Sequence, residues 1–420
     1  MNSPSPSRWD VRVVTFNVAM LPFDPESVAS LLMDTAASST HILTIGLQEV
    51  AHSEQYAGQS GGGGGGETWA RGILAWTAAN TALSLVARTY QATNLLLILA
   101  DRHILAQIAR ISFTYARNTL GGLTGHKGSI GALVSLVNAS QLVFTLSHFV
   151  HDVSALAARV TQYKTNRGCA FPKECNVCAS FWFGDLNFRV ECSAEEATAS
   201  LARLDDLLKK DQLAKVRRAG TAFDDYDEAS ISFPPTYRLF PGTLDYDQRR
   251  TPSWCDRILY KGNVACVEYT SVPAVRCSDH VPVRGHYEVS VGGSLSGHLH
   301  GAVEWPTWYH ARFEHIPTWY TTVPLVVRFR LRREYWQKQG SYVDWVGVFP
   351  STLPDCTNAL RWVFAMTSYT AHTTEEDALT VAEFPQLPPG RYLVGYYSSN
   401  FNCLIGLSET FEVVNPPETS

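Results

Sequence analysis

The first two-thirds of this chain repeat one pattern, a short apolar run rich in Val, Ile, Phe and Thr followed by a polar connection. Runs of this kind, several of which alternate between apolar and polar residues, predict β-strands. The predicted strands cover residues 11–18, 42–50, 130–137, 142–149, 181–188, 257–261 and 281–289. A chain built mainly from such strands must bury their apolar faces against another layer, so the pattern predicts a layered sandwich.

Helical signals lie between some of these strands. The clearest is a capping box, in which Ser193 is followed three residues later by Glu196. The apolar residues that follow at roughly helical spacing are Leu201, Leu204, Leu208 and Val216. Strands mixed with helices predict an α/β or α+β sandwich for this part of the chain.

A change in composition divides the chain. Residues 291–297 are rich in Gly and Ser and are typical of a linker between domains. Beyond them the sequence is rich in Trp and Tyr, with predicted strands at 323–331, 342–349, 360–365, 392–397 and 411–414. We therefore expect a first domain over residues 8–290, a linker over 291–318 and a small all-β sandwich over 319–415.

Composition excludes several classes of function. Lys and Arg number 34 and Asp and Glu 39, a formal net charge of −5, which argues against a sequence-independent nucleic-acid binder. No apolar run approaches the roughly 20 residues of a membrane span, and the N-terminus lacks the pattern of a secretory signal. Nine cysteines without such a signal indicate reduced thiols, so we expect a cytoplasmic protein.

Unusual polar side chains recur at the ends of the apolar runs, and one pair, Asp279 with His280, directly precedes a run. They are Asn17, Glu49, His148, Asp185 with Asn187, and Asp279 with His280. Each alone could cap a strand, but their recurrence at successive strand ends predicts a site at one edge of a sheet. Carboxylate and amide oxygens with His, and no clustered thiols, favour a hard cation such as Mg²⁺.

Eight segments occur in an order that is typical of one family. They are residues 15–18, 47–50, 125–128, 147–148, 181–189 (FWFGDLNFR), 233–238 (FPPTYR), 252–259 (PSWCDRIL) and 278–280. Together they resemble the inositol polyphosphate 5-phosphatases of the endonuclease/exonuclease/phosphatase superfold. The resemblance implies an α+β fold, a four-layer α/β/β/α sandwich, and Mg²⁺-dependent hydrolysis of a phosphoester.

The resemblance also implies a role for each site residue. Asn17 and Glu49 look like the metal-binding pair. Asp185 looks like the base that takes a proton from the attacking water, with Asn187 orienting the water or the phosphate. His280, supported by Asp279, and His148 look like donors to phosphate oxygens.

Basic and aromatic residues in the same motifs imply the substrate. Tyr237, Arg238 and Arg250 match positions that contact the neighbouring 4-phosphate of an inositol ring, and Lys127 resembles a further head-group contact. Departures from the family include His126 in place of Asn. Another is Asp152 at the position aligned with a second His. His151 lies one residue earlier, so either a small backbone shift restores a histidine contact or that contact is lost.

The C-terminal sandwich resembles the SKICH domain, which implies an immunoglobulin-like β-sandwich that targets a membrane surface or a protein partner. Arg328, Arg330 and Arg332 alternate, so they share one face of a strand. A basic face of this kind attracts anionic lipid, although a solvated strand face has the same pattern.

Three functions remain open from the sequence. The first is a phosphoinositide 5-phosphatase acting at a membrane on phosphatidylinositol 4,5-bisphosphate, the 3,4,5-trisphosphate or soluble inositol phosphates. The second is a nuclease or sphingomyelinase of the same superfold. The third is a degenerate, non-catalytic domain that binds lipid or a partner. Asp256 and Arg257 also have two interpretations, a structural ion pair or a contact with substrate.

Overall fold

The computed structural model describes residues 7–36, 39–51, 66–119, 124–292, 310–365 and 377–417. The strands of the first domain are β1 (Ser7–Asn17), β2 (Ile42–Gln48), β3 (Leu83–Gln91), β4 (Asn94–Asp101), β5 (Ile108–Thr119), β6 (Thr124–Leu136), β7 (Gln141–His148), β8 (Val177–Asp185), β9 (Asp256–Gly262), β10 (Val264–Ser271) and β11 (Val283–Val291). The helices are α1 (Pro25–Ala36), α2 (Glu67–Asn80), α3 (Leu156–Asn166), α4 (Ala194–Ala199), α5 (Leu204–Leu208) and α6 (Gln212–Arg218), with 3₁₀ turns at Arg102–Gln107 and Arg167–Ala170.

The strands of the first domain form two sheets. A six-stranded sheet has the order β10-β11-β1-β2-β4-β3, and a five-stranded sheet has the order β5-β6-β7-β8-β9. One core lies between the sheets and includes Val13, Phe144 and Phe183. Helices cover both outer faces, with Trp69 of α2 packing on the first sheet and Leu213 of α6 on the second. The predicted four-layer α/β/β/α sandwich is therefore confirmed.

The two sheets approach closely near one edge. A Cβ added at Gly46 of β2 would lie 2.4 Å from Leu146 Cδ1 and 2.7 Å from Phe183 Cε2, so a side chain at this position would push the sheets apart. β1 pairs with β2 in parallel, and β7 pairs with β8 in parallel. The carboxyl ends of these strand pairs therefore reach the same region of the sandwich.

The predicted start of the helix after Ser193 is correct, but the prediction of one continuous helix is wrong. The Ser193 Oγ accepts a hydrogen bond from the Glu196 amide at 3.1 Å, which confirms the cap of α4. The segment that follows forms three short helices instead of one. A single helix would place Leu207 and Leu213 on different faces, whereas the breaks allow both to be buried.

Four strands of the first domain were not predicted from the sequence. β3, β5 and β10 lie at sheet edges, where polar residues interrupt the apolar pattern. β4 lies inside the six-stranded sheet and is buried on both faces, so its continuous apolar run lacks the alternation that identifies a strand.

The C-terminal domain is a β-sandwich with one short helix, α7 (Arg333–Gln339). Its strands are β12 (Ala311–Phe313), β13 (Trp319–Tyr320), β14 (Leu325–Arg332), β15 (Trp345–Pro350), β16 (Arg361–Phe364), β17 (Asp377–Phe384), β18 (Gly390–Ser398), β19 (Cys403–Leu407) and β20 (Phe411–Val414). One sheet has the order β12-β14-β17, and the other has the order β13-β20-β18-β15-β16, with β19 beside β18.

A short strand lies within the predicted linker over residues 291–318. β12 lies within it and pairs with β14, where Ala311 opposes Leu331 and is fully buried. Burial of this residue against the sheet makes the strand part of the sandwich. Residues 293–309 of the predicted linker lie outside the described part of the chain.

The sandwich contacts one end of the first domain. The Leu85 amide donates to Pro354 O at 2.9 Å, and the Ile111 amide donates to Phe401 O at 2.8 Å. Leu85 of β3 and Ile111 of β5 lie near the end of the sheets that is opposite to the carboxyl ends of β1, β2, β7 and β8. The second domain is thus attached at the end of both sheets that is remote from these carboxyl ends.

All nine cysteines have free thiols, and none of the described helices has the length and apolar character needed to cross a bilayer.

A buried ion network joins β9 to the outer helices. The Arg257 guanidinium donates to both carboxylate oxygens of Asp211 at 3.1 Å and to both of Glu228 at 2.7 Å. The structure therefore supports the structural interpretation of Arg257.

We predict that Arg257→Met lowers the free energy of unfolding by about 3–5 kcal/mol, because it removes the buried cation that pairs with both the Asp211 and the Glu228 carboxylates. Arg8→Met is the matched control, since Arg8 is 77% exposed and makes one pair with Glu288 at 3.2 Å. We expect that control to change the free energy by less than about 1 kcal/mol. Urea denaturation measures both, and equal losses would contradict the structural role of Arg257.

Candidate active site

Four polar side chains meet where the two sheets converge. Asn17 ends β1 and Glu49 follows β2, while His148 ends β7 and Asp185 ends β8. The Asn17 Nδ2 donates to Asp185 Oδ2 at 3.0 Å, which joins the six-stranded sheet to the five-stranded sheet. The structure therefore brings together residues that the sequence placed at separate strand ends.

A basic pair lies beside these acids. The His148 Nε2 is 3.3 Å from Asp185 Oδ2 and 3.6 Å from Glu49 Oε1. The Lys127 Nζ is 3.8 Å from the same Glu49 oxygen and contacts His148 Nε2. Burial lowers the pKa of Lys127 and also lowers the pKa of His148, so this histidine is neutral at pH 7.

The Asp185 carboxylate is almost fully buried and is nevertheless ionised. Burial alone would raise its pKa, but the hydrogen bond with His148 and the charges of His280 and Lys127 outweigh it and hold the pKa well below its usual range. The Asn187 amide nitrogen of the backbone donates to Asp185 Oδ1 at 3.1 Å. Asn187 has φ of 56°, a left-handed conformation that Asn tolerates better than most residues.

His280 has a different acidic partner from the one the sequence indicated. Its Nδ1 is 2.8 Å from Asp256 Oδ2, and the same oxygen accepts a hydrogen bond from Thr236 Oγ1 at 2.7 Å. Asp279, the predicted support, lies 3.3 Å from Arg238 Nε instead. Neighbouring residues of an extended chain point to opposite sides, which takes the Asp279 side chain away from His280.

The charge of His280 follows from this arrangement. Burial would lower the pKa of His280, but the charge and hydrogen bond of Asp256, followed by the charge of Asp185, raise it to about 9. His280 is therefore a buried cation at neutral pH, and it lies next to the Asp185 carboxylate.

The predicted substrate residues occupy different depths. The Tyr237 ring lies 4.5 Å from the His280 ring, between centroids. Arg238 lies between Asp279 and Asp247, whose Oδ2 is 3.4 Å from its Nε. Arg250 is exposed, and its backbone amide donates to Asp247 O at 3.1 Å. Lys127 lies deeper than expected of a head-group contact, because it touches Glu49 and His148.

The loop after β7 does not restore a second histidine in the site. His151 is exposed, and its backbone oxygen accepts a hydrogen bond from Arg189 Nη2 at 3.0 Å. Asp152 turns its carboxylate toward Ser154, whose amide donates to it at 2.8 Å.

The donor atoms at this edge suit a hard divalent cation. Glu49 offers a carboxylate that is partly exposed, and the Asn17 Oδ1 accepts only the Ala19 amide at 3.0 Å among its described contacts. A carbonyl oxygen has a second lone pair, so Asn17 can still bind a cation. Asp185 and Asp256 also hold carboxylate oxygens within 4.8 Å of each other and of a His280 ring nitrogen, but the protonated His280 offers no lone pair to a cation. Oxygen donors without thiols fit Mg²⁺.

Two buried residues at the site were not predicted from the sequence. The sequence leaves Asp256 between a structural ion pair and a contact with substrate, and the structure hydrogen-bonds it to His280 instead. Arg189 contacts Asn187 and Tyr237, although the sequence offered only its place at the end of the 181–189 segment. Membership of a recognised motif was the available signal for both.

Comparisons with known proteins agree with this geometry. A family model described as Endonuclease/Exonuclease/phosphatase family 2 matches residues 14–286. The chain belongs to this family. A SKICH domain model matches residues 311–413. The resemblance to inositol polyphosphate 5-phosphatases with a C-terminal SKICH domain is thereby confirmed.

Curated relatives of this family member include inositol-1,4,5-trisphosphate 5-phosphatase 1 of Schizosaccharomyces pombe, 33% identical over 205 residues, 47% of this chain and 19% of that protein. Phosphatidylinositol 4,5-bisphosphate 5-phosphatase A of Homo sapiens is 26% identical over 343 residues, 77% of this chain and 33% of that protein. The chain thus spans about a fifth to a third of the length of these two relatives.

Two solved structures are similar in fold to this chain. The inositol polyphosphate 5-phosphatase domain of SPsynaptojanin, in complex with inositol (1,4)-bisphosphate and calcium ion, has a TM-score of 0.60 and 25% identity, and the match covers 69% of this chain and 86% of that one. The Cimex nitrophorin ferrous NO complex has a TM-score of 0.57 and 22% identity, covering 68% and 100%. The second likeness shows the shared fold only.

We predict that the His280 ring titrates near pH 9, because Asp256 holds its proton. The charge is present at neutral pH and is lost as the pH rises through about 9. Asp256→Asn should lower this pKa toward the ordinary value of about 6.5, measured by NMR of the labelled imidazole. Asp279→Asn is the matched control and should move the pKa much less. A larger change in the Asp279 variant would show that the pairing is wrong.

Proposed function

We propose that the chain is a Mg²⁺-dependent phosphoinositide 5-phosphatase. Its substrates in this proposal are phosphatidylinositol 4,5-bisphosphate and the 3,4,5-trisphosphate, with soluble inositol polyphosphates as a further class. The observation that carries the proposal is the ionised Asp185, which is buried where both sheets meet and is flanked by Asn17, His148 and the His280 cation. The names of the curated relatives and of the synaptojanin domain support the same chemistry.

The residues divide the work of hydrolysis by charge. Asp185 is ionised at neutral pH, so it is always in the form that accepts a proton from the attacking water. The cationic His280 donates to a phosphate oxygen while Asp256 holds its other ring nitrogen. His148 supplies a second donor, and the Asn187 amide orients the water or the phosphate without adding negative charge. When bound by Asn17 and Glu49, Mg²⁺ would neutralise charge on the phosphate.

The substrate specificity in this proposal comes from one side of the site. Tyr237 lies beside His280. Arg238 and Arg250 lie in the loops nearby, and in this proposal they contact the phosphate next to the one that is hydrolysed. Asp247 and Asp279 hold Arg238, so its guanidinium is fixed before a ligand arrives. Lys127 adds a positive charge beside Glu49.

The C-terminal sandwich gives the proposal a second part. We propose that residues 8–290 form the catalytic unit and that the sandwich of residues 319–415 also includes β12 (Ala311–Phe313). In this proposal the protein works in the cytoplasm at a peripheral membrane surface, and the sandwich binds a protein partner or that surface. Nucleic acid is not a partner, in keeping with the formal net charge of −5.

A substrate panel tests the proposed class. Phosphate release is measured with Mg²⁺ and with EDTA on inositol 1,4,5-trisphosphate, the 4,5-bisphosphate lipid, the 3,4,5-trisphosphate lipid, a lipid with only a 4-phosphate, sphingomyelin and DNA. We expect EDTA-sensitive release only from substrates with a 5-phosphate. Cleavage of DNA or sphingomyelin would favour the second function, and no release at all would favour the non-catalytic domain.

Two substitutions separate chemistry from binding. Asp185→Ala should lower kcat by about 10²–10⁴-fold with little loss of substrate binding, because it removes the proton acceptor. Arg238→Ala should raise KM by about tenfold, because it removes a charged contact to the substrate. Steady-state kinetics and calorimetric binding measure the two effects.

Arg276→Ala is the control for these variants, since Arg276 is exposed and its side chain donates to Pro273 O at 3.1 Å. It should change kcat and KM by less than about twofold. Full turnover by the Asp185 variant would rule out the assigned base.

A further inference from the structure

Arg189 is a buried cation in contact with both halves of the site. It is 3% exposed and lies two residues after Asn187, just beyond β8. Within the described part of the chain, no carboxylate lies within ion-pair distance of its guanidinium. A buried charge without an ionic partner lowers stability unless other groups compensate it.

The compensating groups of Arg189 belong to three separate segments. Its Nη2 donates to the Asn187 Oδ1 and, at 3.0 Å, to the backbone oxygen of His151 in the loop after β7. Its guanidinium carbon lies 4.6 Å from the centroid of the Tyr237 ring, an arrangement in which a cation is attracted to an aromatic face. The Arg189 side chain thus contacts both Asn187, which is assigned to hydrolysis, and Tyr237, which is assigned to substrate binding.

The contact with Asn187 decides which way its amide points. A guanidinium can only donate hydrogen bonds, so it must face the oxygen of the amide and not the nitrogen. The Asn187 Nδ2 is then directed to Phe149 O, to which it donates at 3.1 Å. The second N–H of Nδ2 is not used by Phe149 and stays available to water or phosphate.

The contact with Tyr237 extends the same arrangement to His280. The Tyr237 ring is 4.6 Å from the Arg189 guanidinium carbon, and its centroid is 4.5 Å from that of the His280 ring. The Arg189 backbone is fixed as well, because its amide donates to Gln212 Oε1 at 3.0 Å. The buried Arg159 donates to the same oxygen at 2.7 Å, which holds that acceptor in place.

We propose that Arg189 is a positioning residue that fixes the orientation of the Asn187 amide and holds the Tyr237 ring against His280. The kinetic part of this inference rests on the proposed function. Arg189 touches neither the water nor the phosphate in this assignment, and it acts through Asn187 for turnover and through Tyr237 for substrate binding.

Two substitutions of Arg189 separate these actions. Arg189→Gln offers both a donor and an acceptor, so the Asn187 amide loses its fixed orientation, and kcat should fall by about 100-fold with a rise in KM. Arg189→Lys keeps a donor for Asn187 but loses the planar group beneath Tyr237. We expect it to recover kcat to within about tenfold of the parent while KM stays raised. Equal loss of kcat in both variants, with KM unchanged, would overturn the proposal.

A double variant tests whether Arg189 acts through Asn187. In the Asn187→Ala background, Arg189→Gln should change kcat by less than about threefold, because the group it positions is already absent. Multiplied losses in the double variant would mean that Arg189 acts independently of Asn187. Thermal melting checks that each variant is folded, and the lysine variant retains the test if the glutamine variant unfolds.

An NMR measurement decides the structural part without any assay. The side-chain amide signals of Asn187, assigned by their loss in Asn187→Ala, should shift in Arg189→Gln, as should the ring signals of Tyr237. Arg276→Ala should leave both sets unchanged. Unchanged signals in the Arg189 variant would overturn the proposal even if the parent protein is active. An inactive parent with shifted signals would instead contradict the proposed function alone.

Discussion

The close packing of two β-sheets is the constraint on which the rest of the structure depends. Gly46 has no side chain, so Leu146 and Phe183 of the opposite sheet can occupy the space where its Cβ would be. At this separation the Asn17 amide reaches the Asp185 carboxylate across the gap, at 3.0 Å. A wider separation would break this hydrogen bond between two buried polar groups, which folded proteins avoid.

Burial also sets the electrostatics of the site. Asp185, Asp256 and His280 are almost completely removed from water, so each charge acts strongly on the next. The outcome is an alternation of ionised carboxylate, neutral imidazole and cationic imidazole within one small volume. An array with fixed charges of both signs matches the needs of phosphate hydrolysis, in which a proton leaves water while negative charge gathers on the phosphate.

The second domain is attached away from this array. The sandwich is hydrogen-bonded to Leu85 and Ile111, at the end of the sheets away from the candidate active site. Apolar residues of the two domains form one continuous cluster, which includes Ile108 and Cys403. The sandwich therefore adds a surface at the end of the sheets that is remote from the carboxyl ends of β1, β2, β7 and β8.

The sequence identified the residues of the site better than the contacts among them. Asn17, Glu49, His148 and Asp185 were recognisable because each follows an apolar run, and parallel pairing of β1 with β2 and of β7 with β8 makes such positions converge. The four-layer fold followed from the recognised motifs. The helical spacing after Ser193 predicted one helix, but the segment forms three short helices. The breaks between them allow both Leu207 and Leu213 to be buried.

The sequence did not predict which side chains of the site are hydrogen-bonded to each other. Asp279 is the chain neighbour of His280, yet Asp256 holds the imidazole, because β9 of the five-stranded sheet delivers that carboxylate from 24 residues away. The depth of Lys127 and the contacts of Arg189 likewise depend on which loops meet at the edge. The sequence by itself determined the chemical identity of the donors and acceptors. Only the tertiary structure decided which of them share a proton, because a hydrogen bond depends on distances between segments that the chain order does not fix.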